Sequence, residues 1–178
     1  MRTSNRPCTR FRAPLLFLAL LPLFLVDASL AQPGKPPGHA RVHWLAPELL
    51  VWPGQDGQST FTLHAAGEAG LTRKDGQVEG GETIDLSVVS EGLPAGLRER
   101  HPHLADAMTL RLPSLDDRQL DTLLRGQLWV SSEAPGGFRA ITGVQLPGVL
   151  DHRYPYDGPL GMVLEAAVPM FRLWAPTA

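Results

Sequence analysis

From residue 40 to residue 146 the apolar positions come in short runs broken by glycine and proline, and the runs read as strands. Residues 41–45 and 49–52 flank the possible turn Ala46-Pro47-Glu48. Residues 59–65 alternate polar and apolar through Thr60, Phe61, Thr62, Leu63 and His64, the period that buries one face of a strand. Residues 67–81, with Lys74-Asp75-Gly76 and Gly80-Gly81, predict a long hairpin or an irregular loop. Ile84, Leu86 and Val88 then share a face within residues 83–89, and residues 108–112 form a further short strand. Residues 127–131, 138–142 and 144–146 make three more, the first two joined by Pro135-Gly136-Gly137.

One stretch has helical spacing instead. Leu115, Leu120, Leu123 and Leu124 fall on one side, Pro113-Ser114 offers a cap, Asp116 and Asp117 suit a first turn, and Gly126 suits an end. Many short strands and a single short helix over about 110 residues favour an immunoglobulin-like antiparallel β-sandwich, because a parallel α/β sheet needs a helix between most strands. The two ends read differently. Arg2, Arg6, Arg10 and Arg12 precede an apolar run over residues 14–26, and Ala28-Ser29-Leu30-Ala31 follows. That run is shorter than the roughly 20 residues of a spanning helix, so residues 1–31 read as a signal peptide cleaved before Gln32. Export to the periplasm or the medium is the expectation, with no membrane attachment after cleavage. At the other end, residues 171–174 read as a strand with Pro176 opening a turn, so a further strand, and hence a longer protein, is expected beyond them.

Cleavage would leave residues 32–39 as a Pro/Gly-rich linker ahead of a domain at 40–150, and would remove the single cysteine, Cys8. Disulfides, thiolate metal ligands and a cysteine nucleophile are thereby excluded from the exported form. Lysine and arginine are scattered singly, which excludes a nucleic-acid footprint. Neither a phosphate-binding glycine loop nor a Gly-x-Ser-x-Gly elbow is present, and no catalytic residue or cofactor is expected. His101-Pro102-His103 holds two histidines at a spacing that a strand would place on one face. Two imidazoles do not make a metal site, and a third ligand such as Asp106 or Glu99 would have to converge, so the pair reads as a surface loop and no metal is expected. Of the four tryptophans, Trp44 and Trp129 lie inside apolar runs and read as core. Trp52, just before Pro53-Gly54, is the candidate for an exposed indole able to stack on a sugar ring.

Three stretches carry a family resemblance: "RVHWLAPELLVWPG" at 41–54, "HPHLADAMTLRLP" at 101–113 and "ITGVQLPGVLDHRYPYDGPLGMVLEAAVPMFRLWAPTA" at 141–178. In order and over nearly all of residues 40–178, they resemble the N-terminal region of pullulanase-type starch-debranching enzymes, α-amylase-type glycoside hydrolases that cleave α-1,6 branch linkages. The resemblance implies an accessory β-sandwich opened by His43-Trp44-Leu45 and Trp52-Pro53 and closed by residues 146–151. Residues 151–178 would then be a linker and the first strand of a second sandwich similar to glycogen-binding modules. It also implies that the catalytic carboxylates of such enzymes belong to a barrel of roughly 250 residues that this chain has no room for. The expected function is a non-catalytic accessory domain that packs on the remaining domains of a debranching enzyme and meets branched α-glucan. The alternative is a free-standing carbohydrate-binding module built on Trp52, with Tyr154 and Tyr156 far along the chain.

Overall fold

The computed structural model describes residues 37–137 and 139–177. The signal peptide expected over residues 1–31, Cys8 within it and Phe138 lie outside the described residues. Strand β1 (Ala40–Ala46) turns into β2 (Leu49–Trp52), and β3 (Thr60–Ala66) follows. Residues 67–81 form the predicted hairpin, β4 (Thr72–Lys74) and β5 (Gln77–Glu79), around Asp75 and Gly76 at φ 48° and 78°. Asp-Gly is a pair that a two-residue turn of this hand favours. Next come β6 (Glu82–Val88), a short helix α1 (Ala95–Arg100) with a 3-10 turn at Pro102–Leu104, and β7 (Met108–Arg111). Helix α2 (Asp117–Arg125), β8 (Gln127–Glu133), β9 (Arg139–Gln145) and helix α3 (Pro147–Arg153) complete the domain, and β10 (Gly161–Glu165) pairs with β11 (Val168–Arg172) beyond it.

The all-β expectation holds, but the large sheet does not form the expected immunoglobulin-like sandwich, and several smaller features also differ. The large sheet is one closed ring, in the order β1-β2-β7-β6-β3-β8-β9 and back to β1, rather than a pair of open sheets. Its pairs are antiparallel except at the seam, where β1 runs parallel to β9 with Val42 beside Val144. The helices number three among the described residues, not one. Gly143, which sequence spacing makes a break between two strands, lies inside β9: a Cβ there would stand 3.3 Å from the Cβ of Ala40, so glycine lets β1 approach. Helix α3 escapes a sequence reading because Pro147-Gly148 looks like a turn. Proline is tolerated in a first helical turn, and Gly148 fits because a Cβ would come within 3.0 Å of the Leu45 backbone. The cap of α2 also differs from expectation. Asp116 rather than Ser114 caps it: the Gln119 N–H donates to Asp116 Oδ1 at 2.8 Å, and Gln119 Oε1 accepts from the Asp116 N–H at 2.9 Å.

Strand alternation sorts the apolar side chains onto two faces. Inside the ring lie Val42 and Trp44 of β1, Leu50 and Trp52 of β2, Phe61 and Leu63 of β3, and Val130 of β8, joined by Leu120, Leu123 and Leu124 of α2 and by Val149 of α3. A smaller cluster forms outside, where Leu45 and Val51 meet Leu93, Leu97 and Leu104 from the segment carrying α1 and the 3-10 turn. Trp129, buried as expected, belongs to the phase of β8 opposite Leu128 and Val130. On that outer phase His64 is also buried, and its Nε2 shares a 2.8 Å hydrogen bond with Ser131 Oγ. Its Nδ1 is buried without a partner among the described residues.

Burial pushes His64 below its ordinary value of 6.5. The folded chain then binds fewer protons than the unfolded chain as the pH falls through 6.5, so stability is complete above that value and is lost below it. Urea midpoints measured on both sides of this value should fall on the acid side, and the slope should shrink in His64→Gln. An unchanged slope in the variant would show that the buried imidazole is not its source.

Candidate functional site

The last turn of α3 is fastened to α2 by its final residues. Arg153 Nε donates to Asp121 Oδ1 at 2.6 Å and Nη1 to Asp117 Oδ1 at 2.9 Å, and the Tyr154 hydroxyl donates to Asp121 Oδ1 at 2.5 Å. The hydrogen bond from Arg153, with that from Tyr154 second, holds the Asp121 carboxyl below the usual carboxylate range. The same contacts push the Arg153 guanidinium up. From this anchor the chain leaves the barrel, and Trp174 Nε1 donates back to the Tyr154 carbonyl at 3.1 Å. A cleft forms there, lined by Tyr154, Pro155, Tyr156 and Trp174.

Between those points stands the two-stranded hairpin. Its register pairs Met162 with Phe171 and Leu164 with Pro169, which sets these four on one face. That face is open: Met162 is 63 % exposed, Leu164 66 % and Phe171 81 %, and Leu173 just beyond β11 is 89 % exposed. The opposite face carries Val163, Met170 and Val168, the last two 38 % and 58 % exposed, beside an ion pair between Arg172 and Glu165. The large exposed apolar side chains among the described residues fall within residues 156–173, with Val88 the exception. Sequence reading expected a single strand over 171–174. The structure begins β11 earlier and gives it β10 as a partner, a strand whose signal is the apolar run Met162-Val163-Leu164 between Gly161 and Glu165.

The other candidates lie elsewhere. Trp52 is not exposed. It is in phase with Leu50 on β2, so it points into the ring, is 2 % exposed and meets Phe61 edge-on at 6.0 Å. No indole face is left there for a sugar, and the expectation of an exposed platform is corrected. Of its proposed companions, Tyr154 is half-buried in the anchor and Tyr156 is exposed at the cleft. His101 precedes the 3-10 turn and His103 lies within it, rather than on a strand, with ring centres 6.2 Å apart, and His43 of β1 meets His103.

Fold and surface together define a class, a closed all-β domain carrying an exposed apolar arm on a polar anchor. Comparison with known proteins then places it: the family model described as the pullulanase N2 domain matches residues 39–152, and the chain belongs to that family. It is similar to Pullulanase 1, chloroplastic, of Arabidopsis thaliana, 33% identical over 142 residues that make up 79% of this chain and 14% of that protein. It is also similar to Pullulanase of Klebsiella pneumoniae, 30% identical over 145 residues, 78% of this chain and 13% of that protein. Among solved structures, the maltotriose complex of PulA from Klebsiella pneumoniae superposes with a TM-score of 0.61 at 28% identity, over 81% of this chain and 15% of that one. The chain thus spans about one seventh of the length of the curated relatives it matches.

The arm contains a testable weakness. Its two-residue turn places Ala166 and Ala167 at φ 50° and 66°, a conformation that Asn-Gly adopts readily and alanine does not. Replacing the pair by Asn-Gly should stabilise the hairpin by about 1 kcal/mol. Amide exchange across residues 161–172 should slow while that of the barrel stays unchanged. Equal exchange in both forms would mean that the alanines are not held in this conformation.

Proposed function

We propose that the chain is a non-catalytic accessory domain of a pullulanase-type debranching enzyme, and that its apolar arm docks on the remaining domains of such an enzyme. The observation that carries this reading is the open face of Met162, Leu164, Phe171 and Leu173, contiguous apolar surface of the kind that marks an interaction site. Membership of the pullulanase N2 family, together with the small share of each relative that the chain spans, supports a partner of that kind. Hydrolysis of α-1,6 linkages belongs, on this reading, to those other domains. The alternative of a free-standing glucan-binding module built on Trp52 lacks a platform, because that indole is inside the barrel. The arginine-then-apolar pattern of residues 1–31 supports export, to the periplasm or the medium.

Two experiments test the reading. With its partner surface missing, the purified chain should self-associate in sedimentation and bind a hydrophobic dye, and Phe171→Ser with Leu173→Ser should reduce both. A wild-type chain that is monomeric and silent toward the dye would overturn the docking role. For export, the chain recovered from an exporting bacterial cell should begin at Gln32 when its amino terminus is sequenced, and an intact Met1 would refute cleavage there.

A further inference from the structure

Lysines and arginines are scattered singly along the chain, yet the fold brings two of the arginines to one cleft. It lies at the end of the barrel where β1 begins and β2 finishes, and where β9, parallel to β1, also starts. Its volume is about 200 Å³, and its walls come from four separate places. His39 and Arg41 stand at the start of β1, Gln55 follows β2, Arg73 belongs to β4, and residues 140–142 belong to β9. Hydrogen bonds fix this frame. Thr142 Oγ1 accepts from the Arg41 N–H and donates to the His39 carbonyl, both at 2.8 Å, which locks the start of β1 onto β9. Gln55 Oε1 accepts from the buried Ser132 Oγ at 3.0 Å, which leaves the Gln55 amide nitrogen as a donor.

The charge on the cleft is of one sign. No Asp or Glu lines it, and neither Arg41 nor Arg73 takes part in an ion pair among the described residues. Neighbouring carboxylates are spent elsewhere: Asp56 accepts from the Gln58 N–H and the Ser59 hydroxyl within its own turn, Glu79 pairs with Lys74, and Glu133 pairs with Arg139. In a chain of formal net charge −2, two arginines on one cleft without an acid are a local feature and not a reflection of overall charge.

We propose that this cleft binds a tetrahedral oxyanion group, phosphate or sulfate, between the guanidinium groups of Arg41 and Arg73. A guanidinium is always charged and presents paired N–H donors that match such oxygens. Two of these forks, the Gln55 amide and the His39 ring offer more donors than the two oxygens of a carboxylate can take up, whereas a phosphate ester presents three strong acceptor oxygens. The cleft is smaller than the roughly 300–1,000 Å³ of sites for drug-sized ligands, so it suits the anionic group itself, with any attached molecule left outside. None of these residues belongs to the arm, so the site stands apart from the docking role proposed above.

Sodium phosphate titrated into the full ¹⁵N-labelled chain, near neutral pH and at low ionic strength, tests the proposal. Amide resonances of Arg41, Gln55, Arg73 and Thr142 should shift together and saturate, and sulfate should act likewise while acetate acts far more weakly. Arg41→Gln and Arg73→Gln should each weaken phosphate binding by about tenfold, the scale of one charge-assisted hydrogen bond. Both side chains are exposed, so the variants keep the fold. Arg139→Gln removes the same charge from the start of β9 but takes an arginine already paired with Glu133, and should leave binding unchanged. Glucose 6-phosphate separates the sources: binding tighter than that of inorganic phosphate identifies a monoester on a larger molecule, and equal binding identifies the free ion. No saturable shift at millimolar phosphate would overturn the proposal. So would binding that neither Arg41→Gln nor Arg73→Gln weakens, or an equal loss in all three variants, which would reduce the effect to net charge.

Discussion

The seam between β1 and β9 is the contact on which the rest of the domain depends. Without it the strands would form an open sheet with two unpaired edges; with it no edge of the large sheet is free, and its inner face encloses a single core. The seam is held by more than its ladder. Thr142 Oγ1 accepts from the Arg41 N–H and donates to the His39 carbonyl, both at 2.8 Å, and Gln145 Nε2 donates to the Ala40 carbonyl at 2.7 Å. Gly143 clears the space that Ala40 occupies. Trp44, fully buried, adds a local lock by donating from Nε1 to the Ala46 carbonyl across the irregularity where β1 turns toward β2.

Closure uses one side of each strand, and the other side needs covers of its own. The segment with α1 supplies one, over Leu45 and Val51. The hairpin region of residues 67–81 supplies another: Leu71 is fully buried, and its N–H donates to the Gln127 side chain of β8 at 2.9 Å. Gly80 and Gly81, both at positive φ, allow that close approach, since a Cβ on either would stand within 2.3 Å of a carbonyl oxygen. The two titratable groups of greatest interest, His43 and His64, owe their environments to these covers rather than to the core. They are outward-facing residues of β1 and β3 that a second layer has partly or wholly shut off from water.

How much of this could be read from the chain depends on how local the cause is. Residues 49–52 were legible as β2 without error, since an apolar run between two turns needs no distant partner. Helix α2 was legible from its leucines, and only its cap was misplaced, because Ser114 and Asp116 are both good caps and the reciprocal bond to Gln119 decides between them. The family resemblance rested on ordered local motifs and was likewise legible. Trp52 was misjudged although the signal existed: its phase with Leu50 points it inward, and its place at a strand end misled. What no local pattern carries is the partner of β1. The parallel seam, the role of Gly143 within β9 and the arrival of His43 beside a histidine pair about sixty residues away are consequences of closure, and a single sequence holds no record of it.

The arm poses a separate physical question, how a two-stranded ribbon with an apolar open face keeps a defined place. Isolated hairpins are marginal in water, and this one begins with a turn that alanine disfavours. Its own devices are modest. The Arg172–Glu165 pair is solvent-exposed, and exposed pairs contribute little. Pro169 has no N–H to offer an added strand, which blunts one edge. The stronger restraint lies at the base, where the Trp174 indole holds the Tyr154 carbonyl while the Tyr154 hydroxyl and Arg153 both hold Asp121. Asp121 and Asp117 belong to α2, whose leucines are part of the barrel core. Asp117 also lies in the first turn of that helix, where the dipole favours a carboxylate with or without Arg153. The base of the arm is therefore referenced to the core through one helix, while its apolar face stays open to solvent.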